Sequence, residues 1–216
     1  MRNDINLLSK VSEPYHYVRL SKGAKSDLSW WLVGVDKFHG STPFKPDIPE
    51  PNFAFATDAC LVGGAGHWRD DWFYVSWSID YPELVDANIN ILELQSVLVT
   101  VQRWGPLWAG KHICVRSDNS STIAAINNTT SRSPALLVII KQLFWLSVEH
   151  NFRLSAIHLP GKLNVLSDKL SRMHVKEDAC FAIGLLTGSP YNIVCCKGKM
   201  SESTYVSLQE SWVWSC

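Results

Sequence analysis

Hydrophobic positions along the chain change period several times, and each change marks an element. Between residues 20 and 40 the spacing predicts a helix starting near Ser26, with Leu28, Trp31, Leu32 and Val35 on an apolar face and Gly40 as the stop. Residues 41–51 hold Pro43, Pro46, Pro49 and Pro51, which remove backbone donors and read as an extended linker. Three short aromatic or β-branched runs follow, 52–58 (NFAFATD), 61–69 and 72–78, separated by glycine-bearing or acidic turns, and predict three antiparallel strands. Residues 88–104 switch to helical spacing, with Ile91, Leu94, Val97, Leu98 and Val101 in a stripe and Glu93 at its margin. Residues 111–117 (KHICVRS) alternate like a half-buried strand that runs into a helix start at Asp118-Asn119-Ser120-Ser121, with the helix continuing over 122–127. Ser133-Pro134 opens an apolar helix over 135–148, 152–157 is a further strand, and 163–171 a short helix. The predicted order is βββαβααβα. After Arg172 no periodicity is found, although Cys195-Cys196, Trp212 and Trp214 lie there.

This order predicts an α/β fold: a mixed five-stranded sheet, three antiparallel strands followed by parallel additions, flanked by helices. The domains expected are 1–50, a connector with the proline-rich linker; 51–173, the main domain; and 174–216, a tail without an assigned role. The chain of 216 residues, 46% hydrophobic and 19% charged, is sufficient for one substantial core. Met1 to Asn6 lacks the apolar stretch of a secretory signal. The longest apolar run, 135–148, contains Lys141 and is too short to span a bilayer, so an intracellular, membrane-free protein is expected.

Lysine plus arginine and aspartate plus glutamate both total 20, so no basic field is available to hold nucleic acid at a distance. Residues 69–93 are mostly acidic, whereas 111–172 carry Lys111, Arg116, Arg132, Lys141, Arg153, Lys162, Lys169 and Arg172, a half that could face phosphates. The six cysteines form no CxxC pair, so neither a zinc site nor a disulfide framework is indicated.

The candidate chemistry lies in four acids: Asp58 at the end of the first strand, Glu93 on the next helix, Asp118 after the fourth strand and Asp168 on the late helix. In an α/β fold, strand ends and adjoining helices converge on one crevice. Converging carboxylates repel unless cations lie between them, and hard oxygen donors suit magnesium or manganese. Two such ions about 4 Å apart would serve phosphodiester hydrolysis. Singly, each acid has an ordinary reading: Asp118 as a helix cap, Glu93 as a surface residue, Asp168 as the partner of Lys169 or Arg172. Most of the ten tryptophans, Trp72, Trp77, Trp104 and Trp145 among them, fall where core is expected.

TDAC with Gly63-Gly64-Ala65-Gly66, NILELQSV, VRSDNSSTIAAIN and AIHLPGKLNVLSDKLSR resemble the successive motifs of retroelement ribonuclease H domains, over residues 53 to 172. The closing motif and the ILEL and SDN segments look most like DIRS-type and gypsy-type retrotransposons, in which this domain follows reverse transcriptase in one polyprotein. Residues 20–44 resemble the connector between the two.

The resemblance implies a ribonuclease H-like fold and a two-metal endonuclease cutting the RNA strand of RNA–DNA hybrids. Asp58, Glu93, Asp118 and Asp168 would bind two Mg2+ (or Mn2+) ions, and His158 would assist proton transfer or product release. Asn90, ahead of Glu93, is a candidate contact to a ribose 2′-hydroxyl, or a helix cap. The implied partners are an RNA–DNA hybrid and a reverse transcriptase domain. Cys60 stands where a small hydroxyl residue is common, Ser167 where alanine is usual, and no basic extra helix lies between Asn128 and Ser133. Three rivals follow: an inactive or co-opted relic that binds without cutting, an integrase-like or transposase-like nuclease, and an interaction module docking through its Trp-rich ends. The second typically lacks the late HLPG…SDKLSR motif.

Overall fold

The computed structural model describes residues 19–35 and 53–187. The chain divides into two compact units, Met1–Pro46 and Asp47–Cys216. In the first, helix α1 spans Lys22–Gly34 and is capped by Ser21, whose hydroxyl accepts from the Ala24 N–H at 3.1 Å. The helix thus begins four residues before the Ser26 expected and ends before Gly40, because Ser21 supplies the acceptor that the first turn needs. Residue 40 and the proline-rich stretch 41–51 lie outside the described residues.

In the second unit, β1 (Phe53–Ala59), β2 (Gly63–Trp68), β3 (Asp71–Ser76), β4 (His112–Ser117) and β5 (Arg153–His158) form one sheet in the order β3-β2-β1-β4-β5. β1–β2 and β2–β3 are antiparallel, and β1–β4 and β4–β5 are parallel. This is the mixed α/β sheet that the sequence pattern predicts. A short helical turn, α2 (Trp77–Asp80), follows β3; α3 is Ile89–Trp104, α4 Ser120–Asn128, α5 Pro134–Glu149, α6 Val165–Ser171 and α7 Lys176–Thr187. Among the described residues no helix is long and apolar enough to cross a membrane.

One face of the sheet carries the larger core. There α3 lies between the sheet and α5, and every residue from Leu92 to Val101 is buried. That sandwiching makes Glu93 a buried residue rather than a marginal one. The hydroxyls of Ser96 and Thr100 are satisfied on their own helix, donating to the carbonyls of Leu92 at 3.1 Å and Ser96 at 2.9 Å, so this polar pair buries without an orphan. Close approach of α3 to β2 requires Gly64, because a β-carbon there would collide with Ser96 Oγ and the Trp77 ring. Phe55 stacks on Trp108 at 5.4 Å, and Trp68 meets Trp104 and Trp108 edge-on or tilted. Trp72, Trp77 and Trp104 are core residues, as their positions suggested, and Trp145 is half-buried.

The second face holds a smaller cluster in which Ala65 and Trp72 of the sheet pack with Leu170, Met173, Ala179 and Ala182. Helix α7 occupies a stretch whose sequence showed no periodicity. Its inward positions include alanines, which fit closely but leave almost no hydrophobic contrast.

β5 is an edge strand, and its outward backbone groups at Ala156 are taken by a side chain. Asn127 of α4 donates Nδ2 to the Ala156 carbonyl and accepts from the Ala156 N–H, both at 2.8 Å, so its carboxamide stands where a neighbouring strand would pair.

Candidate metal centre

The site forms where the parallel strands β1 and β4 end together. Asp58 is the sixth residue of β1, Asp118 follows the last residue of β4, and α3, capped at Asn88, brings Glu93 against the end of β1. One oxygen from each of Asp58, Glu93 and Asp118 lies within 4.8 Å of the others. Asp58 is 8% exposed and Glu93 5%, while Asp118 is exposed.

Burial and mutual repulsion act in the same direction here. Desolvation pushes the Glu93 carboxyl up to about 9, the charges of Asp58 and Asp118 add to the rise, and a backbone hydrogen bond from Ala59 opposes it. Asp58 is raised to about 7, again chiefly by burial; the Ser171 hydroxyl opposes this, Asp118 and Asp168 add to it, and Arg172 lowers it. Glu93 Oε2 is buried and has no hydrogen-bond partner among the described residues. A buried carboxylate oxygen without a donor is costly, and a divalent cation is a partner that satisfies it and its acidic neighbours together. The donor set, all hard oxygens, fits Mg2+ or Mn2+.

The ordinary readings of the single acids separate in the structure. Asn119, not Asp118, caps α4, accepting from the Thr122 N–H at 3.0 Å, which leaves the Asp118 carboxylate to the cluster. Glu93 is buried, not a surface residue. Asp168 does pair with Arg172, at 2.9 Å one helical turn away, and with Lys169 at 4.0 Å. It stands outside the close group of three, near enough for its charge to act on Asp58.

His158 is the last residue of β5, exposed and in register with Ser117, the residue before Asp118. Leu159 N–H donates to the Ser117 carbonyl at 2.9 Å and turns the chain over Asp118. Asn90 is not the cap of α3, a position held by Asn88; its Oδ1 accepts from Asn119 Nδ2 at 2.9 Å, tying the start of α3 to the start of α4 on either side of the acids.

No known protein family matches the chain by sequence profile, and no curated protein matches it by sequence. Solved RNase H structures resemble it in fold. RNase H1 from the halophilic archaeon Halobacterium salinarum NRC-1 is 16% identical, with a TM-score of 0.38 over 56% of this chain and 95% of that one. An N-terminal RNase H domain from Mycobacterium tuberculosis is 12% identical, with a TM-score of 0.40 over 63% of this chain and 98% of that one. The prototype foamy virus protease–reverse transcriptase is 13% identical, with a TM-score of 0.34, and covers 73% of this chain and 21% of that one.

Three polar residues that sequence reasoning did not single out as site residues fasten α6 beneath the acids. Asn164, buried ahead of α6, donates Nδ2 to the Thr57 carbonyl at 3.0 Å. Ser171 Oγ donates to Asp58 Oδ2 at 2.7 Å, and Cys60 Sγ donates to the Ser171 carbonyl at 3.2 Å. Each lies within a few positions of an acid, the one sequence signal available. Cys60 also accepts from the Gly63 N–H at 3.3 Å, so it fills the bridging part that a hydroxyl would.

Gly161 sets the clearance over Asp118. A β-carbon there would stand 2.9 Å from Asp118 Oδ2, so Gly161→Ala is expected to displace that carboxylate. The expected result is a loss of Mn2+ affinity of about tenfold at nearly unchanged melting temperature, measured by calorimetric titration and thermal denaturation. Wild-type affinity would show that the loop yields instead.

Proposed function

We propose that this chain is a metal-dependent endonuclease that hydrolyses the RNA strand of RNA–DNA hybrids, within the reverse-transcription machinery of a retrotransposon. The observation that carries the reading is the meeting of Asp58, Glu93 and Asp118 at the strand ends, two of them buried and one with an unpartnered oxygen. Asp58, Glu93 and Asp118, with Asp168 from α6, would hold two Mg2+ or Mn2+ ions. Ions held there would supply a lowered pKa for a bound water and neutralisation of charge on the phosphate.

The protein's own groups do the rest. Exposed His158, beside the Asp118 loop, exchanges a proton with water or with the leaving ribose oxygen. Arg172 and Lys169 balance Asp168 until it turns toward the site, and Asn90, oriented by Asn119, meets the ribose 2′-hydroxyl that separates RNA from DNA. The nuclease unit takes in residues 51–173, with α7 packed against it, and residues 1–50 join it to a reverse transcriptase domain inside the cell.

The pairing of Asp168 with Arg172 favours a second reading, a relic that grips hybrid without cutting it. A labelled RNA–DNA hybrid incubated with the chain and Mg2+ separates the two: metal-dependent cleavage of the RNA strand is expected. Binding without cleavage selects the relic, and neither binding nor cleavage removes both.

A further inference from the structure

Ser171, the last residue of α6, is 0% exposed and reaches Asp58 from 113 residues away along the chain. Its Oγ also lies 2.9 Å from the Asp168 carbonyl, one turn back on its own helix. A buried serine hydroxyl is therefore already satisfiable within α6, and its own solvation does not require Asp58. A hydroxyl has one proton, and an ionised carboxylate is the stronger acceptor for it.

The last torsion of an aspartate is broad, so a carboxylate without a fixed donor samples many orientations. The Ser171 bond removes that freedom at Asp58. Its main chain is fastened too, by the Cys60 thiol on the Ser171 carbonyl, so donor and strand end cannot drift apart independently. Asn164 fastens the other end of the helix to Thr57.

We infer that Ser171 is a positioning residue that holds the Asp58 carboxylate in the orientation in which it joins Glu93 and Asp118 around a divalent cation. This rests on the reading of those acids as metal ligands. Partners in the outer shell of a metal site orient its ligands, and their loss commonly weakens metal affinity by about tenfold or more.

The test is calorimetric titration of the full chain with Mn2+ alone, alongside far-UV circular dichroism and thermal denaturation. Ser171→Ala is expected to weaken Mn2+ binding by about tenfold with its secondary structure intact. Ser171→Thr, which keeps the hydroxyl, retains the affinity. Leu170→Ala removes a core side chain from the same helix and lowers the melting temperature, yet leaves Mn2+ affinity at the wild-type value. Should the alanine variant not fold, Ser171→Cys, with a weak donor of similar size, shows an intermediate loss.

Unchanged affinity in the folded alanine or cysteine variant overturns the inference. So does a threonine variant as weak as alanine, or an equal loss in Leu170→Ala, which would reduce Ser171 to a packing role. If the wild-type chain binds no Mn2+, the metal reading fails and the inference with it.

Discussion

Asp118→Asn is expected to lower the rate of hybrid cleavage by at least ~10³-fold while leaving the chain folded, since several kcal/mol of metal-derived transition-state stabilisation is at stake. The substitution keeps the shape of the side chain and removes its charge. Asp118 is exposed and lies between β4 and the cap of α4, so neither the core nor the helix start depends on it. Rates on labelled hybrid in Mg2+, with circular dichroism as the folding control, measure both halves of the expectation. Cleavage within a few-fold of wild type would show that the chemistry lies elsewhere.

The second large effect is on stability without metal. In chelator, the chain is expected to lose stability, on the order of several kcal/mol, as pH rises from about 4 to 9. Asp58 rises in the fold from 3.8 to about 7 and Glu93 from 4.5 to about 9. Between the unfolded and folded values the folded chain binds the more protons. The stability they contribute is complete below the unfolded values and is lost as pH climbs through the folded ones. His67 works in the opposite sense, because burial lowers its value from 6.5, and it acts mainly on the acid side of neutrality.

Melting temperatures in chelator at pH 7 and pH 9 follow chiefly the carboxylates, with the Cys114 thiol, raised by burial, adding in the same direction, and the higher pH should give the lower value. Added Mg2+ should raise both, more strongly at pH 9, as a ligand that binds only the folded site. Glu93→Gln should flatten the slope and, at pH 8 in chelator, melt higher than wild type. A pH-independent melting temperature would mean that the carboxylates are not confined as the structure has them.

The meeting of Asp58 and Asp118 was legible because each stands at the C-terminal end of a strand, one marked by its aromatic run and the other by its alternation, and parallel pairing of β1 with β4 brings those ends together. Glu93 was harder to place, since periodicity gives a helix one buried stripe, whereas α3 is covered on both sides, by the sheet and by α5. Asp168 was placed on the right element, but its pairing with Arg172 is a choice of rotamer that spacing does not fix. Ser171 and Asn164 carry no periodic signal because their partners are more than 100 residues away. Helix α7 was invisible for a different reason: small residues pack as closely as large ones without marking a face.

The Asn127 carboxamide on Ala156 has a consequence for how the molecule meets copies of itself. A parallel-strand edge that presents free amides recruits whatever extended chain is nearby, and every edge strand carries that hazard where its outward groups are unpaired. Here a would-be intruder must first evict a side chain that already satisfies both backbone groups at the middle of the edge. Runaway sheet growth along β5 is thereby discouraged by the Asn127 amide at its middle, together with the charge of Arg153 at its first position.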